Sequence, residues 1–239
     1  MKTNGVKLRA LLACLFVSVL FNGVFSQTNG VVRCYTNEAD AMLHASHPEL
    51  ESAQQFEDWL QSEISEQMAH GKIIGGVYQI PVVVHVIHNN EAVGTGSNVS
   101  YAAIQSQIDV LNEDFRRMFG TNGWNTNPVG ADTQIEFCLA RRRPDGSAFP
   151  NGENGVNRIS RTAAGFTAPP YATNYIDATI KTYTYNGGVP TATRGWSPDK
   201  YMNIWLCNIS GGILGYAQFP QSPLGGMGCT GSFGAATDG

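Results

Sequence analysis

VYQIPVVVHVIH, residues 77–88, is the most apolar run of the chain beyond its first 26 residues. Its β-branched side chains are typical of a strand that is buried on both faces of a sheet. The run also carries His85 and His88. Because residues three apart on a strand point to opposite faces, these histidines cannot bind one metal ion through this segment alone. We expect His85 to be a half-buried strand residue with a hydrogen-bonded ring, and His88 to lie at the strand's exit.

The segments that follow alternate between helix and strand patterns. NVSYAAIQSQIDVLNEDFRRMFG places apolar side chains at helical spacing behind a capping Ser100, which predicts an amphipathic helix over residues 100–118. Three later runs predict further strands: TQIEFCLARRR, GVNRIS and KYMNIWLCNIS. Loops rich in Gly, Pro, Thr and Asn separate them. This order of elements predicts an α/β fold whose sheet has at least some parallel pairing.

The first 26 residues have the pattern of a secretory signal peptide. Lys2, Lys7 and Arg9 precede an apolar run of about 12 residues, and GVFSQ offers a cleavage site after Ser26. A membrane-spanning helix needs roughly 20 apolar residues, so this run is too short to anchor the chain. We therefore predict a secreted protein with no membrane span once residues 1–26 are removed.

A small helical extension is predicted ahead of the main domain. Apolar residues at helical spacing between Ala53 and Ile64 predict an amphipathic helix over residues 47–69. The glycines of HGKIIGG then suit a linker or a protease-accessible joint. Residues 27–75 would thus form an extension that precedes a main domain of residues 76–239.

The charge balance argues against a nucleic-acid partner. The chain has 15 Lys and Arg and 19 Asp and Glu, and three of the basic residues lie in the predicted signal peptide. The remaining chain therefore carries a formal charge of 12 − 19 = −7. An acidic protein of this kind lacks the basic footprint that nucleic-acid binding requires.

The residues for most hydrolytic mechanisms are missing from the main domain. No histidine occurs between Asn89 and Gly239, whereas zinc sites of the hydrolytic type and Ser or Cys nucleophiles normally use imidazole. Carboxylates remain: Glu113 and Asp114 are adjacent on the predicted helix, and Glu136 lies on the second strand. Adjacent helical residues diverge by about 100°, so we interpret the first two as a solvated face. Glycoside hydrolysis would need a carboxyl pair roughly 5 to 10 Å apart.

Six segments in order resemble a known family: IPVVVHVIH, IQSQIDVLNEDFRR, IEFCLA, YMNIWLCNI, ILGYAQFP and ATDG. Together they resemble the pappalysin family of metzincin zinc endopeptidases, named for pregnancy-associated plasma protein A, over about residues 80–239. The resemblance implies an α/β (α+β) fold with a metzincin-like upper subdomain. That subdomain is a twisted mixed sheet with a backing helix, and residues 27–75 would be a helical pro-segment ahead of it.

The resemblance also implies an activity, a cofactor and a substrate class. Family members cleave protein or peptide substrates with zinc held by an HExxHxxGxxH helix, and calcium is a further cofactor that the likeness allows. The sequence contains no such motif. We expect the zinc ligands to lie beyond Gly239, so that residues 76–239 are the amino-terminal part of a catalytic domain. The chain alone would then be inactive, and no catalytic residue is assigned within it.

One cysteine invites a functional role under this resemblance. Several relatives remain latent because a pro-segment cysteine, often within RCG, occupies the open zinc position. Arg33 and Cys34 stand in VVRCYTNE, where Tyr35 replaces the glycine, and a thiolate is a good zinc ligand. Cys34 is therefore the candidate switch ligand, with an ordinary disulfide cysteine as the alternative. The disulfide candidates are Cys138, Cys207 and Cys229, with Cys138 to Cys207 as the suggested pair.

A different class of function stays open at this point. An acidic, glycine-rich α/β domain is also compatible with a secreted, non-catalytic module that binds a partner or a glycan. The coding sequence downstream separates the two hypotheses. An open frame that encodes HExxHxxGxxH within about 60 codons favours the protease, and a genuine stop without that motif favours the binding module.

Overall fold

A computed structural model describes residues 30–69, 76–183, 196 and 200–217. The predicted signal peptide and Cys229 lie outside these residues, and the elements belong to one compact unit that begins at Val32. The helices and strands are Thr36–Ser46 (α1), Ala53–Ala69 (α2), Tyr78–His88 (β1), Tyr101–Phe115 (α3), Ile135–Leu139 (β2), Val156–Ser160 (β3), Arg161–Ala164 (α4), Thr173–Tyr175 (α5) and Met202–Leu206 (β4). A 3-10 turn, Pro150–Gly152, precedes β3, and a π-helical turn, Ile176–Ile180, follows α5.

The strand at residues 77–88 is the centre of a four-stranded sheet, which confirms the α/β prediction. β1 pairs in parallel with β2, β3 and β4. Residues 84–86 of β1 pair with both β3 and β4, so these two strands lie on opposite edges of β1. β2 pairs with the first part of β1, from Tyr78 to Val82. All pairing between named strands is parallel, which requires crossover connections such as α3 between β1 and β2.

Gly155 allows β2 and β3 to follow one another along the same edge of β1. Its φ is +67°, and an added Cβ would lie 2.8 Å from the Val82 carbonyl oxygen and 2.9 Å from the Ala140 nitrogen. The Val84 amide donates to the Gly155 carbonyl over 2.7 Å, while the Ala140 amide donates to Val82 over 2.9 Å. Only glycine combines this left-handed backbone with so close an approach.

The buried face of each element follows from the apolar pattern. Six consecutive residues of β1, Val82 to Ile87, are buried, as expected for a strand covered on both sides. On one side, Val82, Val84 and Val86 pack in a cluster with Ile104 and Ile108 of α3. The other side of β1 carries alternate residues that pack on a second set of aromatic and aliphatic side chains, among them Phe149, Ile159, Phe166, Ile180 and Trp196.

α3 starts where the sequence predicts and ends slightly earlier. The Ser100 hydroxyl accepts from the Ala103 amide at the helix start, which confirms the cap. The helix was expected to reach residue 118, but it ends at Phe115 because Arg117 adopts φ +46°. The Arg117 guanidinium instead turns to the following loop, where it donates to the carbonyls of Asn125, Asn127 and Gly130.

The amino-terminal extension contains two helices instead of the one predicted over residues 47–69. α1 lies ahead of the predicted helix, in a stretch for which no element was predicted, and none of its residues is buried. α2 begins only at Ala53, because Ser52 and Gln55 form a capping box: the Gln55 amide donates to the Ser52 hydroxyl, and the Ser52 amide donates to the Gln55 side chain. Across the described ranges, no helix is both long and apolar enough to cross a membrane.

Candidate functional site

The amino-terminal segment of residues 32–36 runs along residues 212–217, which we call the edge segment. Val32 and Ile213 form a parallel bridge. The Val32 amide donates to Gly212 over 2.8 Å, the Leu214 amide donates to Val32 over 2.8 Å, and the Tyr35 amide donates to Gly215 over 3.0 Å. Main-chain hydrogen bonds of this kind let one extended segment bind along another with little dependence on its side chains.

Cys34 lies within this contact, and its thiol is exposed to solvent. The thiol donates to the Thr36 hydroxyl oxygen over 3.3 Å, and the same oxygen accepts from the Ala217 amide over 3.0 Å. The hydrogen bond with the Thr36 side chain, followed by that with the Thr36 backbone, lowers the pKa of Cys34. The thiolate form is thus favoured at the point where the amino-terminal segment meets the edge segment.

Tyr216 holds the edge segment on residues 173–182 through a hydrogen bond and a cation–π contact. Its hydroxyl donates to the Asp177 carboxylate over 2.8 Å, and Asp177 pairs with Lys181 over 3.0 Å. The Lys181 ammonium lies over the Tyr216 and Trp205 rings, at 5.0 and 5.2 Å. Burial, together with the negative charge of Asp177, raises the pKa of Tyr216, so the phenol remains a neutral donor.

A cavity of about 420 Å³ lies between α1 and residues 173–182. Met42 and Leu43 of α1 contribute to one wall, and Asp177 and Lys181 contribute to the other. α1 therefore packs loosely on the main domain, and the main-chain hydrogen bonds of residues 32–35 hold the extension more closely to it.

His85 sits at the centre of a buried hydrogen-bonded network instead of at a metal site. The Asn203 side-chain amide donates to the Trp196 carbonyl over 3.1 Å, so its oxygen must face the His85 Nε2 atom, 3.1 Å away. Nε2 therefore carries the proton, and the Asn157 amide group donates to Nδ1 over 3.0 Å. The ring also stacks on Trp205, with centroids 5.2 Å apart. Burial lowers the pKa of His85 to about 4.

The outcome for the two histidines differs in one respect from the expectation. His85 is hydrogen-bonded as predicted, but it is fully buried instead of half-buried. His88 lies at the strand exit, where its Nδ1 accepts from the Asn90 amide over 3.2 Å. Partial burial lowers the pKa of His88. The sequence pattern could not identify Asn157 and Asn203 as the partners of His85, because they come from two strands whose register was unknown.

Of the carboxylates considered for glycoside hydrolysis, Glu136 is engaged in an ion pair. Glu136 accepts from the Arg116 guanidinium, which also pairs with Asp132 over 2.9 Å. Glu136 is therefore held in a structural ion pair on the α3 side of β2. Glu113 is half-buried and Asp114 is exposed, which fits the solvated helix face expected from the sequence.

The described cysteines are all free, so the suggested disulfide is not seen. Cys138 pairs with Pro81 on one edge of β1, whereas Cys207 follows Leu206, which pairs with Val86 on the edge that β4 occupies. An advance of about six residues along a strand is roughly 20 Å, and a disulfide requires Cα atoms about 4 to 7 Å apart. Burial raises the pKa of Cys207 to about 11, so this thiol is also a poor nucleophile.

The described residues do not form a zinc site. They contain no group of three or more His, Cys, Asp or Glu side chains that could hold a metal ion. Both ring nitrogens of His85 are already used by asparagine side chains. Cys34 is an exposed thiol with a lowered pKa, and one thiolate does not complete the tetrahedral set that zinc requires.

Comparison with solved structures relates this geometry to known proteins, although no protein-family model and no curated protein matches the chain. A promirolysin mutant from Tannerella forsythia matches at 31% identity and a TM-score of 0.53, over 79% of this chain and 54% of that one. Mirolysin in complex with compound 9 matches at 37% identity and a TM-score of 0.46. Mature mirolysin from Tannerella forsythia, in complex with a cleaved peptide, matches at 38% and 0.44.

The chain spans about half the length of these solved structures, since the last two matches each cover 61% of this chain and 48% of the other. The promirolysin match is the broadest of the three and includes a precursor form. Its similarity extends to the mostly parallel sheet with flanking helices described above. It supports the metzincin part of the predicted resemblance and does not separate the pappalysin type from other metzincins. The chain has a metzincin-like metalloprotease fold.

Proposed function

We propose that the protein is a secreted, zinc-dependent metalloendopeptidase precursor of the pappalysin type. Residues 27–75 would be its pro-segment, and residues 76–239 would supply the amino-terminal part of its catalytic domain. The observation that carries this proposal is the 31% identity to promirolysin over 79% of the chain. The proposed substrates are proteins or peptides.

The contact between residues 32–36 and the edge segment supports an inhibitory role for the extension. A peptide substrate offers the same main-chain donors and acceptors that Val32 and Tyr35 use on Gly212, Leu214 and Gly215. While the extension is in place, these groups are not available to another extended peptide. Removal of residues 27–75 would therefore free these main-chain groups, on which an extended substrate segment could form the same hydrogen bonds.

Zinc is the cofactor we propose, and when bound it would act as a Lewis acid and lower the pKa of a bound water. The described residues do not fit a complete zinc site, so no catalytic step is assigned to them. Cys34 is the one residue of this chain that we propose as a ligand in the latent precursor, because its thiol is exposed and its pKa is lowered. The remaining described residues provide the sheet, its backing helix and the edge segment.

The test is peptide hydrolysis by the secreted product of the complete gene. We expect the culture medium to contain a protein that has lost residues 1–26 and that cleaves a fluorogenic peptide mixture after proteolytic removal of residues 27–75. A zinc chelator should abolish this hydrolysis, and added Zn²⁺ should restore it. Absence of chelator-sensitive hydrolysis from the processed protein would contradict the proposal and favour a non-catalytic binding module.

A further inference from the structure

We propose that Arg143 is the centre of a binding site for a small oxyanion, a phosphate, sulfate or carboxylate group. Arg143 is only 6% exposed, and its Nε atom is buried without a hydrogen-bond partner in the described part of the chain. The ion pairs found between described residues do not include it. A buried guanidinium is almost always paired, because its lost hydration is costly unless another acceptor replaces the water. The Nε–H group of Arg143 therefore needs an acceptor from outside the described residues.

The surroundings of the Arg143 guanidinium are apolar. Its central carbon lies 5.9 Å from the centroid of the Phe149 ring, and Phe149 packs with Trp196 in one of the buried clusters. A turn fixes the backbone, since the Arg143 amide donates to the Ser147 carbonyl over 3.0 Å. Water screens a charge in such a setting less than it screens a charge at the surface, so the attraction for an anion is stronger here.

Asp145, the carboxylate closest to Arg143 in sequence, is bonded to another partner. Its side chain accepts from the Ser147 amide over 2.9 Å. Hydrogen bonds with Ser147 are the main cause of the lowered pKa of Asp145, and the charge of Arg143 is a smaller cause. Asp145 is also exposed, so water weakens its attraction for Arg143. The guanidinium therefore keeps its capacity to bind a more closely placed oxyanion.

The sequence around Arg143 is basic, although the chain is acidic. ARRRPDGS, residues 140–147, carries three arginines and one aspartate, a formal charge of 3 − 1 = +2. The chain beyond residue 26 carries −7. Arg141 and Arg142 are exposed, so they place positive charge at the adjoining surface and raise the local concentration of anions. We infer that these two residues attract the ligand and that Arg143 holds it.

The geometry of the guanidinium defines the class of ligand. The group is planar, and its N–H donors lie in pairs that match two oxygens of one carboxylate, phosphate or sulfate. A ligand bound side-on would use Nε and one Nη nitrogen, and it would supply the acceptor that Nε lacks. Chloride offers a single atom to this pair of donors, so the site should prefer oxyanions to chloride.

The experiment follows thermal unfolding of the 239-residue chain in chloride, phosphate, sulfate and acetate at equal ionic strength. Arg143→Met keeps an unbranched side chain beside Phe149 without the charge, and Arg142→Met makes the same change at an exposed neighbour. About 10 mM phosphate should raise the unfolding midpoint of the native chain and of Arg142→Met by about 3 °C more than that of Arg143→Met. Phosphate and sulfate also stabilise proteins by exclusion from their surfaces, but that contribution is common to all three chains and cancels.

The three oxyanions distinguish the possible ligands. A shift with acetate as large as that with phosphate assigns carboxylates as ligands too, and a shift confined to phosphate and sulfate assigns tetrahedral anions. Titration calorimetry with inorganic phosphate should show one site in the native chain. Arg143→Lys should weaken this binding by about tenfold or more, because an ammonium group cannot form two parallel N–H···O bonds.

A further measurement tests the unpaired charge itself. In chloride, Arg143→Met should be at least as stable as the native chain, because it removes a buried charge without a partner. A variant that unfolds or loses much stability in chloride would show that the fold already satisfies the guanidinium, and would overturn the inference. Equal phosphate shifts in the native chain and Arg143→Met, an equal loss of the shift in Arg142→Met, or full phosphate affinity in Arg143→Lys would also overturn it. None of these results depends on zinc or on peptide hydrolysis, so the proposed function can fail separately.

Discussion

Replacement of His85 by glutamine should remove most of the acid sensitivity of the sheet. The neutral ring of His85 accepts from Asn157 and donates to Asn203 within a fully buried network. Protonation would place a second N–H group opposite the Asn157 amide donor and a charge in an apolar setting between Trp196 and Trp205. The folded chain therefore resists protonation that the unfolded chain accepts.

The size of the effect follows from the two pKa values. The pKa of His85 falls from its ordinary value of 6.5 to about 4 in the folded chain, and each unit of difference corresponds to about 1.4 kcal/mol. Above pH 6.5 the histidine is neutral in both states and the stabilisation is fully present. Between pH 6.5 and 4 the unfolded state binds the proton and the folded state does not, so the free energy of unfolding should fall by about 3 kcal/mol in total.

The assay is urea unfolding at half-unit steps from pH 7.5 to 4.5, followed by tryptophan fluorescence, to which Trp196 and Trp205 beside His85 contribute. His85→Gln keeps an amide donor and an acceptor but does not titrate. Below pH 6.5 its free energy of unfolding should therefore fall more slowly than that of the native chain, by about 1 kcal/mol or more per pH unit. His88 and the carboxylates titrate in both proteins and cancel in the difference. Parallel pH profiles for the two proteins would refute the proposed role of the buried ring.

Two further substitutions test the backbone and the loop that shape the sheet. Gly155→Ala should destabilise the chain by about 2 to 4 kcal/mol, because the new Cβ would lie 2.8 Å from a carbonyl of β1. Gly146→Ala, at φ +82° with no atom within 4 Å, should cost only about 1 kcal/mol; equal effects in thermal unfolding would contradict the close approach. Arg117→Ala should cost about 2 kcal/mol through its lost carbonyl contacts. Arg142→Ala, an exposed control, should change the free energy of unfolding by less than about 0.5 kcal/mol. If Arg142→Ala lost as much stability as Arg117→Ala, the carbonyl contacts of Arg117 would not explain the loss.

The strongly patterned elements were predictable because local physics determines them. The β-branched run of β1 and the spacing of Ile104 and Ile108 in α3 both depend on burial that the sequence displays directly. The Ser100 cap is a local hydrogen bond between residues three apart. In contrast, α1 buries no residue, and the sequence analysis assigned no element to it.

The candidate site depends on contacts distant in sequence, which explains why the sequence showed so little of it. Cys34 could be singled out by its VVRC context, but the Thr36 hydroxyl that it contacts is bonded to Ala217, 181 residues away from Thr36. The interaction of Tyr216 with Asp177 spans 39 residues. The Thr36 hydroxyl is close to Cys34 in sequence, yet its hydrogen bond with the Ala217 amide depends on the edge segment. The suggested disulfide between Cys138 and Cys207 was wrong for the same reason, because the register and the edge of each strand decide which cysteines lie close together.

The most direct test of the account is the metal environment of the unprocessed precursor. Co²⁺ substituted for zinc in the product of the complete gene should show a thiolate-to-metal charge-transfer band, because a Cys34 thiolate would occupy the open coordination position. Cys34→Ala should lose this band and gain peptide hydrolysis without removal of residues 27–75, while Cys138→Ala, which changes another free cysteine, should keep both the band and the latency. A precursor that lacks the band, or a Cys34→Ala variant as latent as the native protein, would contradict the account.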